Sequence, residues 1–142
     1  MKIEIVNDDC YHIYIYNDYE DLSEIIIKDK LLLIKKILHL CGFYRVIATL
    51  KKVGLFLEII KVAEGFRRET FDLKVIIDNN RDVFFKTKDY FLVEDISKIC
   101  YYDGEYYGLV DDSFDKILEK VEFGDFVFGC SLDSLLENCI VI

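Results

Sequence analysis

Apolar and polar residues alternate over Lys2 to Val6 (KIEIV) and Tyr11 to Tyr16 (YHIYIY), the period of a strand that buries one face. The short polar side chains of Asn7-Asp8-Asp9 between them bond readily to their own backbone and favour a turn, so the pair predicts a first hairpin. From Leu22 to Leu40 the period changes. On a helical wheel Ile26, Ile27, Leu31, Leu33, Ile34, Ile37, Leu38, Leu40 and Cys41 fall on one broad arc. Glu24, Lys28, Lys35, Lys36 and His39 fall opposite. This predicts a long amphipathic helix packed on a sheet. Asp21 with Glu24 three residues on offers a capping box at its start, and Gly42 is expected to end it in the left-handed conformation.

Strand-like segments then follow in pairs. Tyr44 to Leu50 and Leu55 to Val62 flank Lys51-Lys52-Val53-Gly54 as a second hairpin. Phe71 to Ile77 and Asp82 to Thr87 flank Asp78-Asn79-Asn80-Arg81, whose composition suits a hairpin loop. Lys88 to Ser97 fits either a continuing strand or a short helix. Ile99 to Tyr102 and Glu105 to Val110 enclose Asp103-Gly104, the strongest short hairpin signal in the chain, because a type I′ turn needs positive φ at both central residues. A shorter helix is expected over Phe114 to Val121, capped by Asp112 or Ser113. An aromatic strand over Phe123 to Gly129, a helical turn in SLDSLLE and an apolar strand over Asn138 to Ile142 complete the pattern. The order predicts an α+β fold of about eight strands and two helices: antiparallel, hairpin-rich sheet with one long amphipathic helix and one shorter C-terminal helix. A single domain over 1–142 is expected, with loose halves at 1–64 and 71–142.

Composition narrows the function classes. The chain has 142 residues, 53% apolar and 32% charged, far from the composition of disordered segments. Its net charge of −9 argues against an extended hold on phosphates, so no nucleic-acid partner is expected. The apolar runs are too short for a membrane span, and MKIEIVNDD has no apolar core of a signal peptide. The five cysteines, widely spaced and without a CxxC pair, fit reduced thiols and a cytoplasmic location. The absence of Pro and Trp and the heavy use of Ile, Lys, Asn, Asp and Tyr are those of an AT-rich genome.

Candidate chemistry is sparse. His39 and Cys41 form an HxC pair, but on a helix their side chains diverge and cannot share one ion. His12, between Tyr11 and Ile13, reads as a half-exposed strand histidine. Asp103, Glu105, Asp111, Asp112 and Asp115 could gather around a divalent cation, yet Asp112 and Asp115 also suit a helix start. No phosphate loop, nucleophile elbow, dinucleotide fingerprint or zinc-protease motif is present. No catalytic set, metal or cofactor is therefore expected. Lys28, Lys35 and Lys36 make a cationic stripe that could meet an acidic partner. In YYDGEYYGLV the turn places Tyr102 opposite Glu105, Tyr101 opposite Tyr106 and Cys100 opposite Tyr107. Tyr101 and Tyr106 then share one face and Tyr102 and Tyr107 the other. Tyr102 and Tyr107, flanked by Glu105, are expected as the exposed aromatic pair and the best binding candidates.

Three stretches resemble one family. MKIEIVNDDCYHIYI is similar to the opening strand, Asn-containing turn and second strand of MecA-type adaptors, which deliver substrates to a Clp unfoldase. YYDGEYYGLV looks like that family's C-terminal hairpin, and LEKVEFGD like its helix end with a Phe-Gly pair. The chain lacks the family's acidic linker between two parts and its long helix before the hairpin. The resemblance implies an adaptor or regulator that binds another protein and carries over no individual residue. The competing expectations are a small-ligand or divalent-metal enzyme using the acids of Asp103 to Asp115, and a self-associating structural protein.

Overall fold

The period-two alternation at the start of the chain becomes two paired strands, β1 (Lys2–Asn7) and β2 (Cys10–Tyr16), with Ile3 opposite Ile13 and Glu4 opposite His12. The Asn7 carboxamide oxygen accepts from the Asp9 N–H at 2.8 Å, so the turn forms for the expected reason. The computed structural model describes residues 1–16, 24–63, 72–110, 117 and 119–142. Asp21, Asp112, Ser113 and the start of the helix expected at Phe114 lie outside them. The described chain divides into two compact units, Met1–Leu50 with Gly54–Asn79, and Lys51–Val53 with Asn80–Ile142.

In the first unit, α1 (Glu24–Leu38) is followed by β3 (Phe43–Lys51), β4 (Gly54–Ala63) and β5 (Asp72–Ile77). The sheet order is β1-β2-β4-β3-β5. Ile27, Leu31 and Ile34 of α1 close a core over Ile13, Val46, Ala48, Leu55, Leu57 and Ile59. The helix buries a narrower stripe than the wheel suggested. Leu33 and Ile37, placed on the core arc by periodicity, are exposed together with Leu32. Nor does the helix run to Gly42. It ends at Leu38, His39 takes φ 53°, and the Leu40 N–H donates to the Lys35 carbonyl at 3.1 Å. That six-to-one bond is a Schellman closure, with Leu40 delivered to the core.

The hairpin expected around Asp78-Asn79-Asn80-Arg81 does not form. β5 pairs in parallel with β3, Val46 opposite Val75 and Ala48 opposite Ile77. The Asp78 N–H then bonds the Ala48 carbonyl at 2.9 Å, and the Asn79 side chain accepts from the Leu50 N–H at 3.1 Å. The polar residues thus continue along β3 instead of reversing the chain.

The second unit holds the other sheet, order β10-β7-β8-β6-β9. Its strands are β6 (Phe84–Thr87), β7 (Ile99–Tyr102), β8 (Glu105–Leu109), β9 (Asp125–Val127) and β10 (Ile140–Val141). Lys88 to Ser97 is neither strand nor α-helix. Its 3-10 turn at Tyr90–Leu92 is capped by the Asp89 carboxylate accepting from the Phe91 N–H at 3.0 Å. The strand expected over Phe123 to Gly129 is shortened by a 3-10 turn at Val121–Phe123. SLDSLL falls in α2 (Gly129–Leu136), with Glu137 just past its end, and the helix sets Leu132 and Leu135 against Phe84, Cys100 and Tyr107. The α+β class holds, with two antiparallel-rich sheets. No helix among the described residues is long and apolar enough to cross a membrane.

Candidate functional site

The Asp103-Gly104 hairpin has the register that turn chemistry demands: Tyr102 faces Glu105, Tyr101 faces Tyr106, and Cys100 faces Tyr107. Asp103 (φ 49°) and Gly104 (φ 80°) supply the two positive φ values. The two faces of the hairpin are covered differently. Tyr107 is only 6% exposed, packed with Phe84, Cys100, Leu132 and Leu135. Its hydroxyl donates to the Glu105 carboxylate at 3.4 Å, and Lys86 Nζ lies 3.6 Å from the same carboxylate oxygen. Burial, and then the negative charge of Glu105, push the Tyr107 phenol up to about 12. Tyr107 is therefore a core residue, correcting its assignment to an exposed pair. Tyr102, at the tip, remains 40% exposed.

The open aromatic surface lies on the other face. Tyr101 and Tyr106 have ring centroids 5.1 Å apart, Tyr106 and Tyr90 are 5.3 Å apart, and Tyr90 and Phe91 6.5 Å apart. Tyr101 and Tyr106 are half-buried, Tyr90 is exposed, and Phe91 is 72% exposed. Gly108 makes this row possible. A Cβ there would meet Ile96 Cδ1 at 2.6 Å and Val93 Cγ1 at 3.2 Å, so the bare backbone lets the 90–96 segment lie on the sheet and bring Tyr90 beside Tyr106. The alternation of the hairpin predicted two faces but could not show which one a distant segment would cover.

The other sequence candidates separate. Lys28 and Lys36 are exposed and Lys35 half-buried, with exposed Leu32 standing between Lys28 and Lys36 at helical spacing, so the stripe is mixed rather than purely cationic. His39 and Cys41 are both exposed. Asp103 sits on the exposed turn and Glu105 beside Lys86, while Asp111, Asp112 and Asp115 lie outside the described residues.

His12 is the largest departure. It is 3% exposed, not half-exposed, and its Nε2 lies 2.9 Å from Oε2 of Glu58, which is equally buried. Strand register explains the meeting: β2 and β4 run antiparallel with His12 directly opposite Glu58. Cys10, two residues from His12, presents its buried thiol on the same face. The donor atoms of Cys10, His12 and Glu58 all lie within 4.8 Å of one another. Tyr14 continues that face, stacked on Phe56 at 5.0 Å, and burial raises its phenol above the ordinary tyrosine range. One signal for this cluster was present in the sequence. Glu58 interrupts LFLEII, a run apolar on both faces, and a carboxylate so placed needs a partner.

No protein-family model, curated protein or solved structure matches this chain.

Proposed function

We propose that this protein acts without catalysis, as a cytoplasmic adaptor or regulator that binds another protein through the aromatic row Tyr101–Tyr106–Tyr90–Phe91. The observation that carries this reading is the exposure of Phe91 and Tyr90 at the end of that row. Rings held in place by their neighbours offer a large apolar contact area with little rotamer entropy left to lose on binding, and tyrosine adds a polar tip. Tyr102 at the hairpin tip extends the exposed aromatic area. The net charge of −9 disfavours a nucleic acid as the stacking partner. Five widely spaced cysteines without a CxxC pair support a reducing compartment.

The test is quantitative affinity capture from host lysate, with wild type beside a Tyr90→Ser/Phe91→Ser variant whose circular dichroism matches it. A protein retained by wild type and lost by the variant is expected; identical retention overturns the reading. A second reading, self-association, is favoured by one observation. Among the described residues the edge strand β10 and Ile142 after it are exposed at Ile140, Val141 and Ile142, an apolar edge of the kind that pairs with another copy. Sedimentation of wild type against Ile140→Lys decides it.

A further inference from the structure

We infer that Cys10, His12 and Glu58 form a binding site for a transition-metal ion of the zinc class. The proposal is independent of the aromatic row. Three donors of different kinds, a thiol, an imidazole and a carboxylate, come together on one face of two hydrogen-bonded strands. Cys10 and His12 are fixed relative to each other by the two-residue repeat of β2, and Glu58 by its position opposite His12 on β4. All three are buried, in contrast to the exposed acidic groups that commonly cluster at surfaces without binding ions.

The distances suit one ion. Metal–ligand bonds of about 2.0–2.3 Å to N, O and S place tetrahedral donors about 3.3–3.8 Å apart. The donor atoms here lie within 4.8 Å of one another, so small side-chain rotations close the set. The 2.9 Å separation of His12 Nε2 and Glu58 Oε2 is already slightly shorter than two donors on one ion require, so there the ion replaces a hydrogen bond. The donor set also selects the metal. Sulfur disfavours Mg²⁺ and Ca²⁺, which take oxygen ligands, and mixed S, N and O donors favour Zn²⁺ or Co²⁺. Three protein donors leave one tetrahedral position for water or a further donor. The thiol must give up its proton to ligate, so binding releases a proton to solvent.

The experiment titrates the full chain, stripped with chelator and kept reduced, with Co²⁺ and then Zn²⁺. One Co²⁺ per chain, the intense visible bands of a tetrahedral ion, a near-ultraviolet thiolate-to-cobalt band and displacement by Zn²⁺ are expected. Cys10→Ser should abolish the thiolate band, whereas Cys41→Ser should leave it unchanged. Glu58→Gln should keep the band and weaken binding at least about tenfold, the lower end of what loss of a metal-site partner costs. No bands with the wild-type chain, or a thiolate band that survives Cys10→Ser, overturns the site. Should Cys10→Ser fail to fold, X-ray absorption on the zinc-loaded wild type decides: sulfur together with imidazole in the coordination shell supports the site, and the lack of either overturns it.

Discussion

The two units solve the same problem, covering both faces of a five-stranded sheet, with different materials. In the first, long strands present one face to α1, while the other buries polar groups, with His12 bonded to Glu58. In the second, strands of two to five residues rely on rings: Phe84 and Tyr107 under α2, and Phe85 against Phe126 at 5.5 Å. Long strands tolerate a polar interruption because neighbouring rows of apolar side chains hold the register. Short ones have no such reserve, and each of their rows must pack. The contrast teaches that the first unit carries its unusual chemistry inside, and the second carries it on its surface.

Removing one member of the buried polar pair tests the first half of that contrast and carries the largest expected effect. His12→Leu leaves the Glu58 carboxylate without its imidazole and should cost about 3–5 kcal/mol, read as a fall in the urea midpoint with chelator present. The double variant His12→Leu/Glu58→Leu should recover much of the loss, because an apolar pair needs no hydrogen bond in that place. A double variant as unstable as the sum of its parts would show that the pair does not act as a unit.

Two glycines carry the contrast to a smaller scale. In the first unit a Cβ on Gly54 (φ 153°) would run into the Ile15 carbonyl and the Tyr14 ring; in the second a Cβ on Gly108 would meet the ends of Ile96 and Val93. Backbone cannot swing aside and side chains partly can. Gly54→Ala should therefore lower thermal stability more than Gly108→Ala, for which about 1–3 kcal/mol is expected. Equal losses would mean that the covering segment over Gly108 is as unyielding as the sheet itself.

How much of this was legible depends on the range of the cause. The Asp103-Gly104 hairpin was readable to the last pair, since its register follows from two residues that must take positive φ. The α1 stripe was readable in its centre, Ile27, Leu31 and Ile34. It was not readable at its flanks, because Leu33 and Ile37 lie where the sheet's extent, not helical period, decides burial. Asp78 to Arg81 announced a loop without saying which strand would receive the chain. His12 and Glu58 stand 46 residues apart, and only the pairing of β2 with β4 brings them together. The row ending at Phe91 likewise depends on a segment folding back over Gly108, which no local pattern records.

Alkaline titration separates the units by the ionisation of their buried groups. Burial is the first cause that lifts Cys100 from 9.0, and Tyr107 from 10.0, to about 12 in the second unit. For groups whose folded pKa is raised, the unfolded chain releases protons first as pH rises. Their contribution to stability is thus whole below about pH 9–10 and is lost as pH climbs to about 12. Tyrosinate absorbance should show a late phase from Tyr107, and Tyr107→Phe should shrink it. Tyr14 of the first unit, raised further, should ionise only as the fold gives way.

The smallest expected effect on stability tests the surface half of the contrast. Phe91 is 72% exposed and touches its row only at the edge of Tyr90, 6.5 Å between centroids. Phe91→Ser should change the unfolding midpoint by no more than about 0.5 kcal/mol, as substitutions at exposed positions usually do. Tyr106→Ser cuts the row at its centre, removing contacts with both Tyr101 and Tyr90, and should cost about 1–3 kcal/mol through lost aromatic pairing and burial. If Phe91→Ser proves as destabilising as Tyr106→Ser, the outer ring is a structural member of the second unit, and its exposure is no argument for a partner. A neutral Phe91→Ser that nonetheless loses a captured protein would place the partner's contact at the one ring in the row that the fold does not need.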